Sequence, residues 1–341
     1  MKKIWYLFVK FYMRLGFAFY FKKLLISGTE NIPRDKAILF VANHQNALID
    51  PLLIGAVTPR ELNFLTRADV FNKPIIKALL SSVNMLPIYR IKDGMTSLAK
   101  NEEVFQKCYK ILDKNGTVLI FPEGNHNIKR RLRVLSKGFT RIIFGSLQNN
   151  PDLEIVVLPI GINYTNAKKY GSSVHLVYGK PIPVNEQHRD SALNGASSHL
   201  KDEVSQALKK LITHIENLEH HDKIAASFTE EEFLDPDLIN EKLLDLDHEN
   251  LPDAEDDNQF HLLAPLVKVN SFIPILVWKY MYPKIVEEEF IATNRFTIGI
   301  TLVPLCYLIQ AGIIASLTTD LTGLIYLGFS FLIVYLFVKS S

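Results

Sequence analysis

The chain has 341 residues, 48% of them hydrophobic, and a formal net charge of +2. That length allows one substantial core and a smaller appendage. Its two cysteines, Cys108 and Cys306, are far apart and lack metal-type spacing, which excludes a disulfide framework and a cysteine zinc site.

The near-neutral total hides an asymmetry. Sixteen acidic residues lie between Glu216 and Asp257 against Lys223 and Lys242, so the rest of the chain is strongly basic. A basic remainder suits anionic membranes or phosphorylated substrates, and the long apolar segments described below argue against nucleic acid as a partner.

In chain order, residues 1–27 come first. MKKIWYLFVKFYMRLGFAFYFKK is rich in aromatic residues but is broken by Lys10 and Arg14, and no small-residue cleavage site follows. It fits a helix lying in the lipid headgroup region, with packing into a core as the alternative.

Residues 28–215 form the main domain. Apolar runs at Ala37–Ala42, Leu62–Thr66, Asn84–Tyr89, Thr117–Phe121, Ile155–Ile162 and Val174–Tyr178 read as strands. Helical spacing lies between several of them, as in Val104, Phe105, Cys108, Ile111 and Leu112, and again in Val204, Leu208, Leu211, Ile212 and Ile215. Alternation of this kind predicts an α/β fold, a mostly parallel sheet flanked by helices, with its site beyond the carboxyl ends of the strands.

Residues 216–260 read as an acidic solvated linker with one short helix. Within 261–341, Leu262 to Tyr282 carries Lys268, Pro274 and Lys279 among aromatics and reads as interfacial or re-entrant. Two uncharged apolar runs follow, about 296–317 and 321–338, joined at Thr318-Thr319-Asp320. They predict a two-helix transmembrane hairpin, with Arg295 and Lys339 at its outer ends on the cytoplasmic side. A buried core hairpin is the alternative.

Three segments carry candidate chemistry. Asn43-His44 closes an apolar strand, and Asp50 follows six positions after His44. An imidazole held by a carboxylate suits a general base that removes a hydroxyl proton. Asp50 precedes Pro51, which predicts Asp50 as the N-cap of a helix with His44 in the loop before it. Phe121-Pro122-Glu123-Gly124-Asn125-His126 ends another strand and is followed by Lys129, Arg130, Arg131 and Arg133, a setting for an anionic group. Arg90 ends a third strand, where a guanidinium could clamp a phosphate. Each has a structural alternative: an Asn-His pair closing a strand, a common Pro-Glu-Gly turn beside a solvated basic face, a surface ion pair. The cluster of His214, His220 and His221 reads as a solvated helix end, and no metal site is expected. No Gly-x-Ser-x-Gly elbow is present, which argues against a serine hydrolase.

In this order and spacing, the blocks Asn43–Asp50, Leu86–Arg90, Phe121–Gly124 and Val157–Ile160 resemble those of the glycerolipid acyltransferase family, the 1-acylglycerol-3-phosphate acyltransferases and their relatives. The resemblance covers roughly residues 30–185. It implies His44 and Asp50 as the catalytic pair and Asn43, Arg90, Glu123, Gly124, Asn125 and His126 as substrate-binding residues. It implies a membrane lipid acceptor, acyl-CoA or acyl-carrier protein as co-substrate donor without a further cofactor, and phosphatidic acid as product in phospholipid synthesis. The place implied is a membrane, the bacterial inner membrane, with the catalytic domain cytoplasmic.

Two departures stand out. Five residues separate His44 from Asp50 where four are usual, a spacing similar to some glycerol-3-phosphate acyltransferases. Asn125-His126 stands where Thr-Arg is usual, which leaves Lys129 or Arg130 as replacements for a phosphate-binding arginine. Glycerol 3-phosphate or an amino-acid lipid is therefore an alternative acceptor, and a non-catalytic lipid-binding protein is the alternative of another class.

Overall fold

The structure, a computed structural model, describes residues 2–90, 94, 99–184, 193–246 and 262–340. Its frame is a single eight-stranded sheet. The strands are β1 (Leu24–Ser27), β2 (Ala37–Ala42), β3 (Asn63–Arg67), β4 (Met85–Ile88), β5 (Thr117–Ile120), β6 (Ile155–Tyr164), β7 (Val174–Tyr178) and β8 (Ile182–Pro183). Their order is β1-β7-β6-β2-β5-β3-β4, with β8 beside β6. Pairing is parallel across β6-β2-β5-β3-β4 and between β1 and β7, and antiparallel where β6 meets β7 and β8. The mostly parallel α/β expectation therefore holds, and the β6–β7 hairpin supplies the mixed edge. Strand β1, only four residues long and half-exposed, has no clear apolar pattern in the sequence.

Residues alternate across the sheet and divide the core in two. In β2, Ala37, Leu39 and Val41 face one cluster, built with α4 (Asn101–Leu112), α5 (Gly138–Asn149) and α6 (Leu193–Leu211). Ile38, Phe40 and Ala42 face the other, with α1 (Lys2–Ala18), α2 (Ile49–Val57) and the inner side of α3 (Pro74–Ser82). Strand β2 is buried along its whole length, which explains why its six residues carry no polar side chain. Gly161 in β6 is required by close approach: a Cβ there would lie 2.1 Å from the carbonyl oxygen of Leu211.

The expectation of a solvated linker over 216–260 is corrected for its first part. Helix α7 (His221–Ala226), a 3-10 turn at Glu230–Leu234 and α8 (Pro236–Leu244) bury Ile224, Phe233, Leu234 and Ile239. Acidic side chains occupy the outward positions of these short elements, so composition concealed their apolar inner face. Residues 247–261 lie outside the described residues.

The segment after them forms α9 (Ala264–Asn270) and α10 (Phe272–Met281), broken at Ser271, whose hydroxyl meets that of Tyr307 at 2.6 Å. Helices α11 (Phe290–Leu317) and α12 (Asp320–Ser340) then pack antiparallel, joined at Thr318 and Thr319. Both are long and apolar enough to cross a membrane by length and composition. Phe17 of α1 stacks on Phe296 of α11 at 4.5 Å, and Lys339 donates to the carbonyls of Phe21 and Lys22 at 2.8 and 3.0 Å. The outer ends of the hairpin are therefore tied to the sheet domain.

Replacing Gly161 by Ala should destabilise the protein by about 1–3 kcal/mol, because neither β6 nor the end of α6 can retreat. A thermal unfolding midpoint unchanged from wild type would contradict this account of the β6–α6 contact.

Candidate active site

Four neighbouring parallel strands end at one edge of the sheet, and each delivers part of the candidate site there. Along the order β2-β5-β3-β4 these are His44, the Phe121–Gly124 loop, Arg67 and Arg90. A crevice beyond strand carboxyl ends is where open α/β sheets bind ligands.

Asp50 is fully buried and accepts four hydrogen bonds. Its Oδ2 takes the backbone N–H groups of Gln45 and Asn46, at 2.9 and 2.7 Å, and lies 2.8 Å from His44 Nδ1. Its Oδ1 takes the Tyr164 hydroxyl at 2.6 Å. A carboxylate oxygen that already accepts two amide N–H groups is an acceptor towards the imidazole as well, so Nδ1 carries the ring proton and Nε2 the lone pair. The Tyr164 hydroxyl, buried against this carboxylate, titrates well above its ordinary value, so it remains a donor.

The predicted N-cap role of Asp50 is corrected. Helix α2 begins at Ile49, and the Asp50 N–H already donates to Asn46 O at 3.1 Å. The preference of a pre-proline residue for extended backbone yields here because its carboxylate closes the turn at residues 44–46 from inside the first helical turn.

His44 stacks on Phe121 with ring centroids 4.0 Å apart, and its carbonyl accepts the Asn127 N–H at 2.9 Å. Its side chain retains 13% exposure. His126 stands edge-on to it at 5.6 Å.

The other predicted residues divide. Arg90 meets Asp69 at 3.3 Å. Asp69 in turn holds Arg67 through two bonds of 3.1 and 2.6 Å, and Arg67 lies 3.4 Å from His126. Two guanidiniums therefore converge on one carboxylate, and the hydrogen bonds from Arg67 hold Asp69 below the usual carboxylate range. Arg67 was not expected from the sequence; its signal, an arginine closing the run Leu62–Thr66, mirrors that of Arg90.

Asn43 clamps β2 to β6. Its amide donates to Ile162 O at 3.0 Å and accepts the Ile162 N–H at 2.8 Å, which uses both ends of the side chain on β6. Glu123 is buried against Arg133 at 2.5 Å, and burial pushes its carboxyl up. Asn125 bonds the same arginine, so both residues brace the loop from behind. Gly124 holds this loop at φ +79°, with open space where a Cβ would stand.

Arg130, proposed to replace a phosphate arginine, turns away. Its guanidinium donates to the carbonyls of Tyr164 and Thr165 at 2.7 and 2.6 Å and lies 3.5 Å from the centre of the Phe233 ring. His221 and His214 accept the N–H groups of Arg130 and Leu132, at 2.9 and 3.0 Å. Both histidines hold the basic loop, which replaces the expectation of a solvated helix end.

On the open side, Glu287 and Glu289, just before α11, approach His126 at 3.6 and 3.9 Å, and Phe290 meets its ring at 5.2 Å. Leu48 N–H donates to Thr293 Oγ1 at 3.1 Å. The start of α11 therefore forms one wall of the site.

With this geometry in view, the comparisons with known proteins identify the domain. Residues 23–163 match the family model described as Acyltransferase. Over this segment the chain resembles that family. Glycerol-3-phosphate O-acyltransferase 2 of Saccharomyces cerevisiae is 32% identical over 30% of this chain and 14% of its own length. A chloroplastic 1-acyl-sn-glycerol-3-phosphate acyltransferase of Arabidopsis thaliana is 29% identical over 35% and 32% respectively. The match therefore spans less than half the length of either relative. A 1-acyl-sn-glycerophosphate acyltransferase structure from Thermotoga maritima covers 62% of this chain and 80% of its own, at 18% identity and a TM-score of 0.46.

Burial, followed by the neighbouring His44, holds the His126 imidazole down to about 4 from an ordinary 6.5. The unfolded chain then binds a proton that the folded acyltransferase domain refuses. The contribution of His126 to stability is full above pH 6.5 and is lost as pH falls towards 4. The unfolding midpoint should drop across that window, and His126→Asn should flatten the drop; an identical pH slope in the variant would contradict the assignment.

Proposed function

We propose that the protein is a membrane-bound O-acyltransferase that moves a fatty acyl group from an acyl thioester to the hydroxyl of 1-acylglycerol 3-phosphate, giving phosphatidic acid. The observation that carries this reading is the 2.8 Å contact between His44 Nδ1 and the buried Asp50 carboxylate, which leaves Nε2 as a base at the mouth of an acyltransferase-family crevice.

His44 Nε2 removes the acceptor's hydroxyl proton as the oxygen attacks the thioester carbonyl. When the tetrahedral intermediate collapses, the C–S bond breaks and the imidazolium returns its proton to the departing thiolate, giving an ester and a free thiol. Asp50 holds the ring and stabilises its positive charge between these steps. Arg67 and Arg90 would take the acceptor's phosphate, exchanging Asp69 for a dianion suited to paired guanidiniums.

The membrane part of the reading rests on α11 and α12, about 42 and 32 Å long at 1.5 Å per residue, against a hydrocarbon core of about 30 Å. Arg295 and Lys339 at their outer ends favour a cytoplasmic domain. The exposed Ile4, Trp5, Leu7, Phe8 and Phe11 make α1 an interfacial helix.

Glycerol 3-phosphate is the second acceptor to weigh, because the five-residue His44–Asp50 spacing is similar to that of glycerol-3-phosphate acyltransferases and one such yeast enzyme is among the relatives.

Detergent-purified protein given an acyl thioester should form phosphatidic acid from 1-acylglycerol 3-phosphate. His44→Ala should lower turnover by about 10²–10⁴-fold while the protein still folds, read from a retained cooperative unfolding transition. Product from glycerol 3-phosphate alone would move the protein to the earlier acylation, and undiminished turnover in the variant would overturn the mechanism. Arg67→Ala should raise KM for the acceptor more than it lowers kcat, read from initial rates; an unchanged KM would remove Arg67 from phosphate binding.

A further inference from the structure

Helix α3 is nine residues long, and not one of them is buried. Its two apolar faces have different fates. Leu80, with Val83 just beyond the helix, packs on the core that holds α1 and α2. Ile75 and Leu79, one turn apart, lie on a neighbouring stripe and are 85% and 55% exposed. Ser82 continues that outer face, and its hydroxyl accepts the indole N–H of Trp5 at 2.9 Å, which joins α3 to the exposed aromatic side of α1. Lys73 caps the same short helix and Lys77 lies within it.

We propose that α3 is a second interfacial helix, seated with α1 in an anionic bilayer surface. Three observations favour lipid over a protein partner. The charges on the helix and its cap, Lys77 and Lys73, are both lysines, which complement anionic headgroups. The apolar face is continuous with that of α1, which in turn packs along α11 through Phe17 and Phe296. The patch on α3 is small, one turn of two large side chains, well below what a stable protein interface buries.

All these elements also lie on one face of the sheet, while α4 to α6 cover the other. The consequence concerns the site. Arg67 and Asp69 are joined to α3 by the 3-10 turn Ala68–Phe71, so seating α3 in the interface fixes the two guanidiniums near headgroup depth. A lipid acceptor would then meet them without leaving the membrane.

The inference rests on the membrane reading of α11 and α12, and the test separates the two. Full-length protein in phosphatidylglycerol-containing vesicles would carry one spin label at a time, on Leu79→Cys, Leu324→Cys in α12, or Lys110→Cys in α4. Accessibility to oxygen and to an aqueous nickel chelate would be measured for each. Labels at 79 and 324 should both show a several-fold higher oxygen-to-nickel ratio than the label at 110.

A label at 324 in lipid with that at 79 as aqueous as 110 would overturn the inference alone. Aqueous behaviour at both would overturn the membrane reading beneath it. Dipolar broadening at 79 that persists in detergent would assign the face to a second copy of the chain instead.

Discussion

One buried carboxylate organises the centre of this protein. Burying an ionised group costs several kcal/mol unless donors replace water around it. Asp50 meets that requirement with two backbone amides, a tyrosine hydroxyl and the His44 imidazole. The arrangement explains several features at once. Gln45 and Asn46 must follow His44 in a tight turn so that their N–H groups reach inward. Tyr164 must sit at the end of β6, and Asn43 must bind β6 through Ile162 to bring that strand alongside. The imidazole is then held through one nitrogen and offered through the other.

A second constraint is the sheet, which separates two environments. One face carries α4, α5 and α6 and is closed by an ordinary amphipathic layer. The other carries α1, α2, α3 and the beginning of α11, and α1 and α3 also carry exposed apolar side chains on their outer sides. Surface of this kind is costly in water and normal against lipid. The candidate site opens at the strand ends, between the basic pair Arg67–Arg90 and the start of α11.

Strands buried on both faces were the most legible part of the sequence. Ala37–Ala42 is legible to the residue, because a continuous apolar run bounded by turns has few alternatives, and Val174–Tyr178 is legible from its alternation of buried and half-buried positions. The short edge strand β1 was not legible, since a half-exposed four-residue strand carries little pattern. The folded part of the acidic tract was hidden for a related reason: Ile224, Phe233 and Ile239 stand in short apolar runs among charges, and only the tertiary partner, including Arg130 over Phe233, gives them meaning.

The site was legible in its blocks but not in its roles. His44 and Asp50 meet as their types suggest. Asn43, Glu123 and Asn125 hold contacts with Ile162 and Arg133 that sequence spacing does not show. Arg67 came into view only through strand order, because β3 lies between β5 and β4 although β4 follows it in the chain. Local pattern specifies which residues close a strand; topology specifies which strand ends are neighbours.

The claim on which the whole account depends is that Asp50 fixes His44 with its proton on Nδ1 and a lone pair on Nε2. Nitrogen-15 NMR of histidine-labelled protein at neutral pH measures this directly, with the His44 signals assigned by their loss in His44→Gln. The account predicts a protonated Nδ1 and an unprotonated Nε2, with the preference lost in Asp50→Asn. A proton resident on Nε2 in the wild-type protein would contradict it.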